Sequence, residues 1–442
     1  MMYAGQIHTI NNPQLSGFTS AHTMEKDVSA KTESKTRRLE NKVIKTDLQY
    51  LVGLVRAHLN LDIAFIAKYE KGQRVFLHVD SKSDDDLIKP DDSDPFEQTY
   101  CYKITQGDLP EIIKDTRANP ITRDMAVTKD LNIKSYIGVP IRTADGKLFG
   151  TFCCIGHQIE PSLSERDLAF IKVFAEFAGK QIDQTRQQHN DSRVVEDKIL
   201  AIIESRAFEI AFQPIYNMRL KCVVGYEALS RFPGIPYNSP DYWFKEASDV
   251  GLGEVLEALT TKKALSQMSQ LPQDTYLSLN ASPEYIINGS VGRLLDKVPG
   301  QQVVLEITEH ARISNYDALR AALLPLRAKG IRLAIDDAGA GYASFQHILE
   351  LGADIIKLDI SLIRNIDKDP ARRALTSAMI SFAKNTDCEI IAEGVETAQE
   401  LKTLCEIGVS KAQGYFIGHP QSIIQLVAST PFIMPPGICE TD

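Results

Sequence analysis

Apolar and polar residues recur with two different periods along this chain, and the change of period divides it. Leu48, Leu51, Val52, Leu54, Val55 and Leu59 return every three or four residues, which predicts a helix. Two β-rich runs follow, Ile63–Tyr69 and Gln73–Val79. Two more, Ser135–Ile141 and Leu148–Ile155, flank Arg142–Lys147, where Asp145-Gly146 is a hairpin signal. Ser164–Gln184 then returns to helical spacing through Leu168, Ile171, Phe174, Ala175, Ala178 and Ile182. The pattern from Thr46 to about Ile182 is therefore α+β. An acidic stretch inside it, Asp84–Asp94, lacks the spacing of a metal-binding loop and reads as solvated.

From Phe208 to Phe416 short β-rich runs alternate with helical segments. The runs are Glu209–Ile215, Cys222–Leu229, Thr275–Asn280, Val303–Ile307, Ile331–Asp336, Asp354–Asp359, Glu389–Glu393 and Lys411–Phe416. Eight such runs predict an α/β fold, a TIM-like (β/α)8-type barrel. The connection Tyr216–Lys221 is too short for a helical crossover, so the first two runs should pair antiparallel and make the first strand irregular. Between the two patterned regions, Gln184–Ser192 is polar and Val194–Ile203 is helical. Ahead of both, residues 1–44 carry too few apolar side chains to build a core. The expected organisation is a disordered tail (1–44), a sensor-like α+β domain (45–185), one long or broken linker helix (186–203) and the barrel (204–430).

Polar residues at the ends of the barrel runs change the picture from fold to chemistry. Glu227, Asn280, Glu306, Asp336, Lys357 with Asp359, and Glu393 each stand at or near the C-terminal end of a run. Gln213 and Gln413 lie on the first and last. Alternation puts Val304, Glu306 and Thr308 on one face of their strand and Val303, Leu305 and Ile307 on the other. An ionised group inside an apolar barrel costs several kcal/mol unless it is paired or metal-bound. So many strands ending this way imply one shared polar site. Oxygen-rich ligands without His or Cys favour hard cations such as Mg²⁺ or Mn²⁺. Asp336-Asp337 would repel unless cations neutralise them, and Ala338-Gly339-Ala340-Gly341 behind them is a flexible turn.

Composition narrows the setting. The 442 residues carry a formal net charge of −9, against the basic patches that bind a nucleic-acid polymer. The seven cysteines form no CxxC pair, which suits free thiols in a reducing compartment. Neither a signal peptide nor an apolar run of about 18 residues is evident, so no membrane span is expected and a cytoplasmic location is.

Two resemblances follow. Tyr136–Ile141 (YIGVPI), Asp145-Gly146 and Leu148–Gly156 (LFGTFCCIG), with the closing helix, resemble a GAF domain. That implies a regulatory sensor with an unknown small ligand; Cys153 and Cys154 read as buried structural thiols rather than redox centres. The barrel region, about residues 196–430, resembles the EAL-domain cyclic di-GMP phosphodiesterases. The matching motifs are Phe212–Ile215 (FQPI), Glu227–Arg231 (EALSR), Leu277–Pro283 (LSLNASP), Leu305–Glu309 (LEITE), Ile335–Tyr342 (IDDAGAGY), Ile356–Asp359 (IKLD), Ile391–Thr397 (IAEGVET) and Gln413–Pro420 (QGYFIGHP).

The second resemblance implies two Mg²⁺ or Mn²⁺ ions per active site. Glu227, Asn280, Glu306 and Asp336 would hold one, and Asp336, Asp337 and Glu393 the other. It implies Lys357 as a general base, with its pKa depressed among cations, or as a water-positioning or charge-stabilising residue. Gln213 and Gln413 would line the site. Arg231 would grip the substrate phosphate, beside Leu229 of the same motif, and Glu396 would bind substrate or support the site. Glu309 would stabilise the loop after Asp337. The implied reaction is hydrolysis of cyclic di-GMP to linear pGpG, regulated by the GAF-like domain, in a bacterial homodimer. The alternative is a catalytically weak EAL domain acting as a cyclic di-GMP receptor. Ala338 and Ala340 depart from the family's usual Phe and Thr, which bears on loop ordering and rate and removes no ligand.

Overall fold

The computed structural model describes residues 48–83, 87–234, 238–339 and 343–439. The expected tail over residues 1–44, and Ala340 of the expected turn, lie outside the described residues. The chain forms two compact units that meet between Val194 and Val195.

The first unit is built on six strands: β1 (Ile63–Glu70), β2 (Gln73–Ser81), β3 (Ser93–Pro95), β4 (Ile112–Ile113), β5 (Ser135–Arg142) and β6 (Leu148–Gly156). They order as β3-β2-β1-β6-β5-β4, antiparallel throughout. The sheet is covered on both faces. On β6, Phe152 and Cys154 face a core shared with Val52, Val55, Ile171 and Ala178. Cys153 and Ile155 face a second core with Phe65, Tyr100, Cys101 and Tyr136. The strand period of two thus buries both thiols, on opposite faces. The acidic stretch is mostly exposed where it is described, except near its end. Its end forms β3, where Asp94 meets the buried Arg74 guanidinium in a two-pronged ion pair. Arg74 also lies over the Phe76 ring, 4.7 Å from its centroid.

A single unbroken helix, Glu165–Ser205, contains the expected linker. Its first half belongs to the first unit's core through Leu168, Ile171, Ala175, Ala178 and Ile182. Ile199 and Ile203 near its end pack with Phe208, Phe232 and Trp243 of the second unit.

The second unit is a closed eight-stranded barrel. Its strands are β7 (Glu209–Asn217), β8 (Cys222–Arg231), β9 (Tyr276–Asn280), β10 (Val303–Thr308), β11 (Arg332–Ala338), β12 (Ile355–Leu358), β13 (Glu389–Ala392) and β14 (Lys411–Ala412). They follow in chain order, and β14 returns to β7. Strands β8 to β14 are parallel. Strand β7 is antiparallel to both neighbours, and its four-residue connection to β8, 218–221, is too short for the crossover a parallel pair needs. A short β15 (Gln421–Ser422) lies against β7. The last strand ends sooner than its apolar pattern suggests. Gly414 turns there against the backbone of Val395, where a Cβ would come within 2.2 Å of the Val395 nitrogen.

Inside the barrel, Ile215, Tyr276, Val304, Ala334, Ile355 and Ile391 form one apolar layer. Val303, Leu305, Ile307, Leu333, Ile335 and Ile356 point outward, into the core shared with the surrounding helices. The connections contribute Gly253–Gln267, Tyr316–Ala328, Ala343–Leu351, Pro370–Asn385 and Ala398–Glu406. One expectation is corrected: the thiols are not all free, because Cys405 is disulfide-bonded to Cys439, with Cα atoms 5.9 Å apart. A separation of 34 residues gives no local sequence signal of pairing. Among the described residues, no helix is long and apolar enough to cross a membrane.

Candidate metal centre

The apolar layer fixes what stands above it. Side chains on a strand alternate, so the residue two positions on shares the same face. From Val304, Ala334, Ile355 and Ile391 that step reaches Glu306, Asp336, Lys357 and Glu393. From Tyr276 it reaches Ser278 and then Asn280. On the antiparallel β7 the step runs backwards, from Ile215 to Gln213. Parallel register sets Glu306 beside Asn280, and β7–β8 pairing sets Gln213 opposite Glu227. The polar ends predicted from the sequence therefore converge at the C-terminal mouth of the barrel.

Adjacent residues on a regular strand face opposite sides, so Asp336 and Asp337 should not both reach this site. The register between β11 and β12 shifts between Ile335 and Ala338, and Asp337 adopts φ +57°. This local break turns both carboxylates to the same mouth, a common use of bulges beside functional sites. Ala338 returns to the core, fully buried. The Asp336 carbonyl accepts the Glu309 amide at 3.0 Å, so Glu309 holds the strand end through its backbone.

Two groups of carboxylates result. Glu227, Glu306 and Asp336 bring one oxygen each within 4.8 Å of one another, and so do Asp336, Asp337 and Glu393. Asp336 belongs to both. Lys357, fully buried, stands among them: its Nζ lies 2.8 Å from Glu306, 2.8 Å from Glu393, 3.1 Å from Asp336 and 3.5 Å from Glu227. Ser278 donates its hydroxyl to Glu306. Gln413 Nε2 donates to Glu227 at 2.5 Å and to Gln213 at 3.1 Å, while Gln213 donates to the Gly418 carbonyl at 3.2 Å.

The electrostatics follow from one ammonium facing four carboxylates. Burial drives the Glu306 carboxyl up to about 8; Lys357 pulls it back, and Glu227 and Asp336 push it further. Burial and then the Asp336 charge hold Glu393 well above the ordinary carboxylate range. Asp337 is pushed up to about 6 by burial, Asp336 and Asp359. For Lys357 burial favours the neutral amine, but Asp336, Glu227, Glu306 and Glu393 outweigh it and raise its pKa well above the usual value. The depressed pKa expected for a lysine among cations concerns a metal-loaded site, which is a different charge environment. The neighbours of Lys357 here are carboxylates, and each favours the ammonium.

The remaining candidates divide. Leu229, Arg231 and Asn280 line a cleft of about 530 Å³ that also reaches Glu306. Arg231 donates to the Ser230 carbonyl at 2.9 Å at its wall. Glu396 is instead held in a two-pronged ion pair by Arg364, a partner the motif does not announce. Asp359 caps the short helix Ile360–Ile363 by accepting the Ser361 amide. Sequence reading missed Ser278, although its place two residues before Asn280 carries the signal.

Comparison with known proteins agrees with this architecture. The family model described as EAL domain matches residues 196–420, just over half of the chain. The chain belongs to the EAL domain family. The model described as GAF domain matches residues 45–182, so a GAF domain precedes the EAL barrel. The EAL region is 30% identical over 225 residues to PdeD of Escherichia coli K12, described as a probable cyclic di-GMP phosphodiesterase; the match covers 49% of this chain and 42% of PdeD. It is 28% identical over 251 residues to PdeF of the same strain, described as a cyclic di-GMP phosphodiesterase, covering 54% of this chain and 33% of PdeF. The chain thus spans less than half the length of these curated relatives. A solved structure of the EAL enzyme Bd1971, in its cAMP and cyclic-di-GMP bound form, aligns over 83% of this chain and 92% of its own with a TM-score of 0.53. At 19% identity that likeness speaks to the fold alone.

Proposed function

We propose that this protein hydrolyses cyclic di-GMP to linear pGpG at the mouth of its EAL barrel, using two divalent cations. The observation that carries the reading is the pair of carboxylate groups sharing Asp336, with four of the five carboxylates around one lysine. Four carboxylates around one ammonium exceed what a structural pair needs: burial and mutual repulsion favour the protonated forms of Glu306 and Glu393, protons that divalent cations would displace. The donor set is all oxygen, which fits Mg²⁺ or Mn²⁺. Glu227, Asn280, Glu306 and Asp336 would hold one ion, and Asp336, Asp337 and Glu393 the second. When bound, such a pair acidifies water and neutralises charge on a phosphodiester during in-line attack.

The chain's own residues do the rest. Gln413 fixes the Glu227 carboxylate, and Ser278 and Lys357 fix that of Glu306. Lys357 directs its three donors at the carboxylates and holds them in register; an N–H released where a cation takes a carboxylate would be offered to the attacking water or the phosphate. Arg231, at the wall of the cleft, presents a planar guanidinium suited to a phosphate oxygen pair. Glu309 keeps the strand end in place, and the Arg364–Glu396 pair supports the loop after Glu393. The GAF unit is read as the regulatory input.

The test is conversion of cyclic di-GMP to pGpG by the full chain with Mn²⁺ or Mg²⁺, and again after chelation. Turnover that disappears on chelation and returns with metal supports the reading. Tight binding of cyclic di-GMP with no turnover in either metal would replace it with a receptor role.

A further inference from the structure

The strand that carries Asn280 ends there, and the next residues must hold the amide in place. Ala281 donates its amide to the Glu306 carbonyl at 2.9 Å, which ties the turn to β10 on one side. On the other side stands the helix Gly253–Gln267. Glu257 on that helix accepts the Ser282 amide at 3.0 Å with one carboxylate oxygen and the Ser282 hydroxyl at 2.5 Å with the other. Glu254, one turn earlier and on the same face, accepts the Ser290 hydroxyl. Two carboxylates of one helix thus grip the segment after Asn280 near both of its ends.

Three further observations single out Glu257. Ser282 is the N-cap of the helix Pro283–Ile287, yet its side chain makes no capping bond; its hydroxyl is committed to Glu257 instead, against the usual use of serine at that position. The Glu257 carboxyl is pushed up to about 7 by burial and by Glu284 and Glu254, although both Ser282 bonds pull it down. The fold therefore tolerates a third carboxylate beside two others to keep this contact. Glu257 also lines the same cleft as Arg231, Asn280 and Glu306.

We infer that Glu257 is a positioning residue of the metal centre: its two-pronged contact with Ser282 fixes the backbone after β9 so that the Asn280 side chain faces the Glu227–Glu306–Asp336 group. This rests on the reading of Asn280 as a ligand given above. Residues that orient a ligand from behind typically govern metal affinity or activity by about 10- to 100-fold.

The test uses the full chain and Mn²⁺, titrated without substrate by electron paramagnetic resonance, with kcat and KM for cyclic di-GMP as a second readout. Glu257→Ala is expected to weaken Mn²⁺ binding and to lower kcat at fixed metal by about 10- to 100-fold. Glu257→Gln is expected to restore both, because an amide can accept the Ser282 N–H and donate to its hydroxyl oxygen. Ser282→Ala, which removes one of the two bonds, should fall between and serves if Glu257→Ala does not fold. The double variant Asn280→Ala/Glu257→Ala should bind Mn²⁺ no more weakly than Asn280→Ala alone, since the two act through one ligand. A purely structural role would shift the unfolding midpoint and leave Mn²⁺ affinity unchanged. Wild-type Mn²⁺ affinity in Glu257→Ala, or a further multiplicative loss in the double variant, overturns the inference. If Asn280→Ala itself leaves Mn²⁺ affinity intact, the ligand assignment fails and the inference falls with it.

Discussion

The two units of this chain both bury charge, and they do so in opposite ways. In the GAF domain Arg74 meets one carboxylate, Asp94, and spreads its guanidinium over Phe65 and Phe76. One guanidinium has one carboxylate counter-charge; the core closes around Arg74, which also meets the Cys101 sulfur, while Asp94 stays partly exposed. In the EAL barrel Lys357 meets four carboxylates, with Asp337 close by. The first arrangement is balanced and self-sufficient. The second sets four carboxylates against one ammonium, an excess that raised carboxyl pKa values relieve by protonation and that bound cations would relieve in their place. The difference separates a stabilising pair from a site: stability is served by balance, whereas a retained imbalance points to a ligand.

The comparison breaks most visibly under substitution. Glu227→Ala removes an oxygen from the barrel group and is expected to lower turnover of cyclic di-GMP about a thousandfold or more, corresponding to ~4 kcal/mol of transition-state stabilisation. Steady-state kinetics at saturating Mn²⁺ measures it. A loss below about tenfold would show that the carboxylates do not act as one centre.

In the GAF domain the same kind of change should act on stability. Arg74→Met removes two charge-assisted bonds to the partly exposed Asp94 and is expected to destabilise that domain by about 1–3 kcal/mol. Urea unfolding followed by a probe in the first unit reads this. Glu393→Gln, in the cation-free barrel, should have the opposite sign. It relieves carboxylate crowding and should raise the barrel's midpoint, by about 1 kcal/mol.

These contrasts also show how far the sequence could be read. Strand period and the short Tyr216–Lys221 connection were enough for an irregular barrel with one antiparallel strand. Alternation was enough to place Glu306 and Lys357 inside it, because a period of two leaves no choice of face. Three features depend on contacts between distant segments and carry no local signal. The bulge at Asp336–Asp337 brings two neighbouring carboxylates to one side. Arg364 takes Glu396 away from the carboxylate groups. Asp94 of the acidic stretch is claimed by Arg74, twenty residues earlier. The raised pKa of Lys357 in the cation-free site is likewise set by carboxylates from the four strands around it.

Metal binding sharpens the comparison further. Mn²⁺ should stabilise the barrel and leave the GAF domain unchanged. At about 100 times its dissociation constant the gain is about 2.7 kcal/mol per site, visible in thermal unfolding resolved by domain and absent in Glu227→Ala.

A further expected effect is one of pH. The Glu257 carboxyl is raised to about 7 in the folded barrel, above its ordinary value of 4.5 in an unfolded chain. Between those values the folded protein binds the extra proton. Barrel stability should therefore fall as pH rises from about 4.5 to 7 and level off above, by ~1–3 kcal/mol from this group. Glu257→Gln should remove that part of the slope, measured as the urea midpoint against pH.

The central claim is that the mouth of the barrel is a two-cation site. Equilibrium dialysis of the full chain against Mn²⁺, followed by metal analysis, tests it directly. Two Mn²⁺ per chain in the wild type, with loss of binding in Glu306→Gln and Asp336→Asn, is the predicted result. A wild-type chain that retains no Mn²⁺, or binding that survives both substitutions, would contradict it.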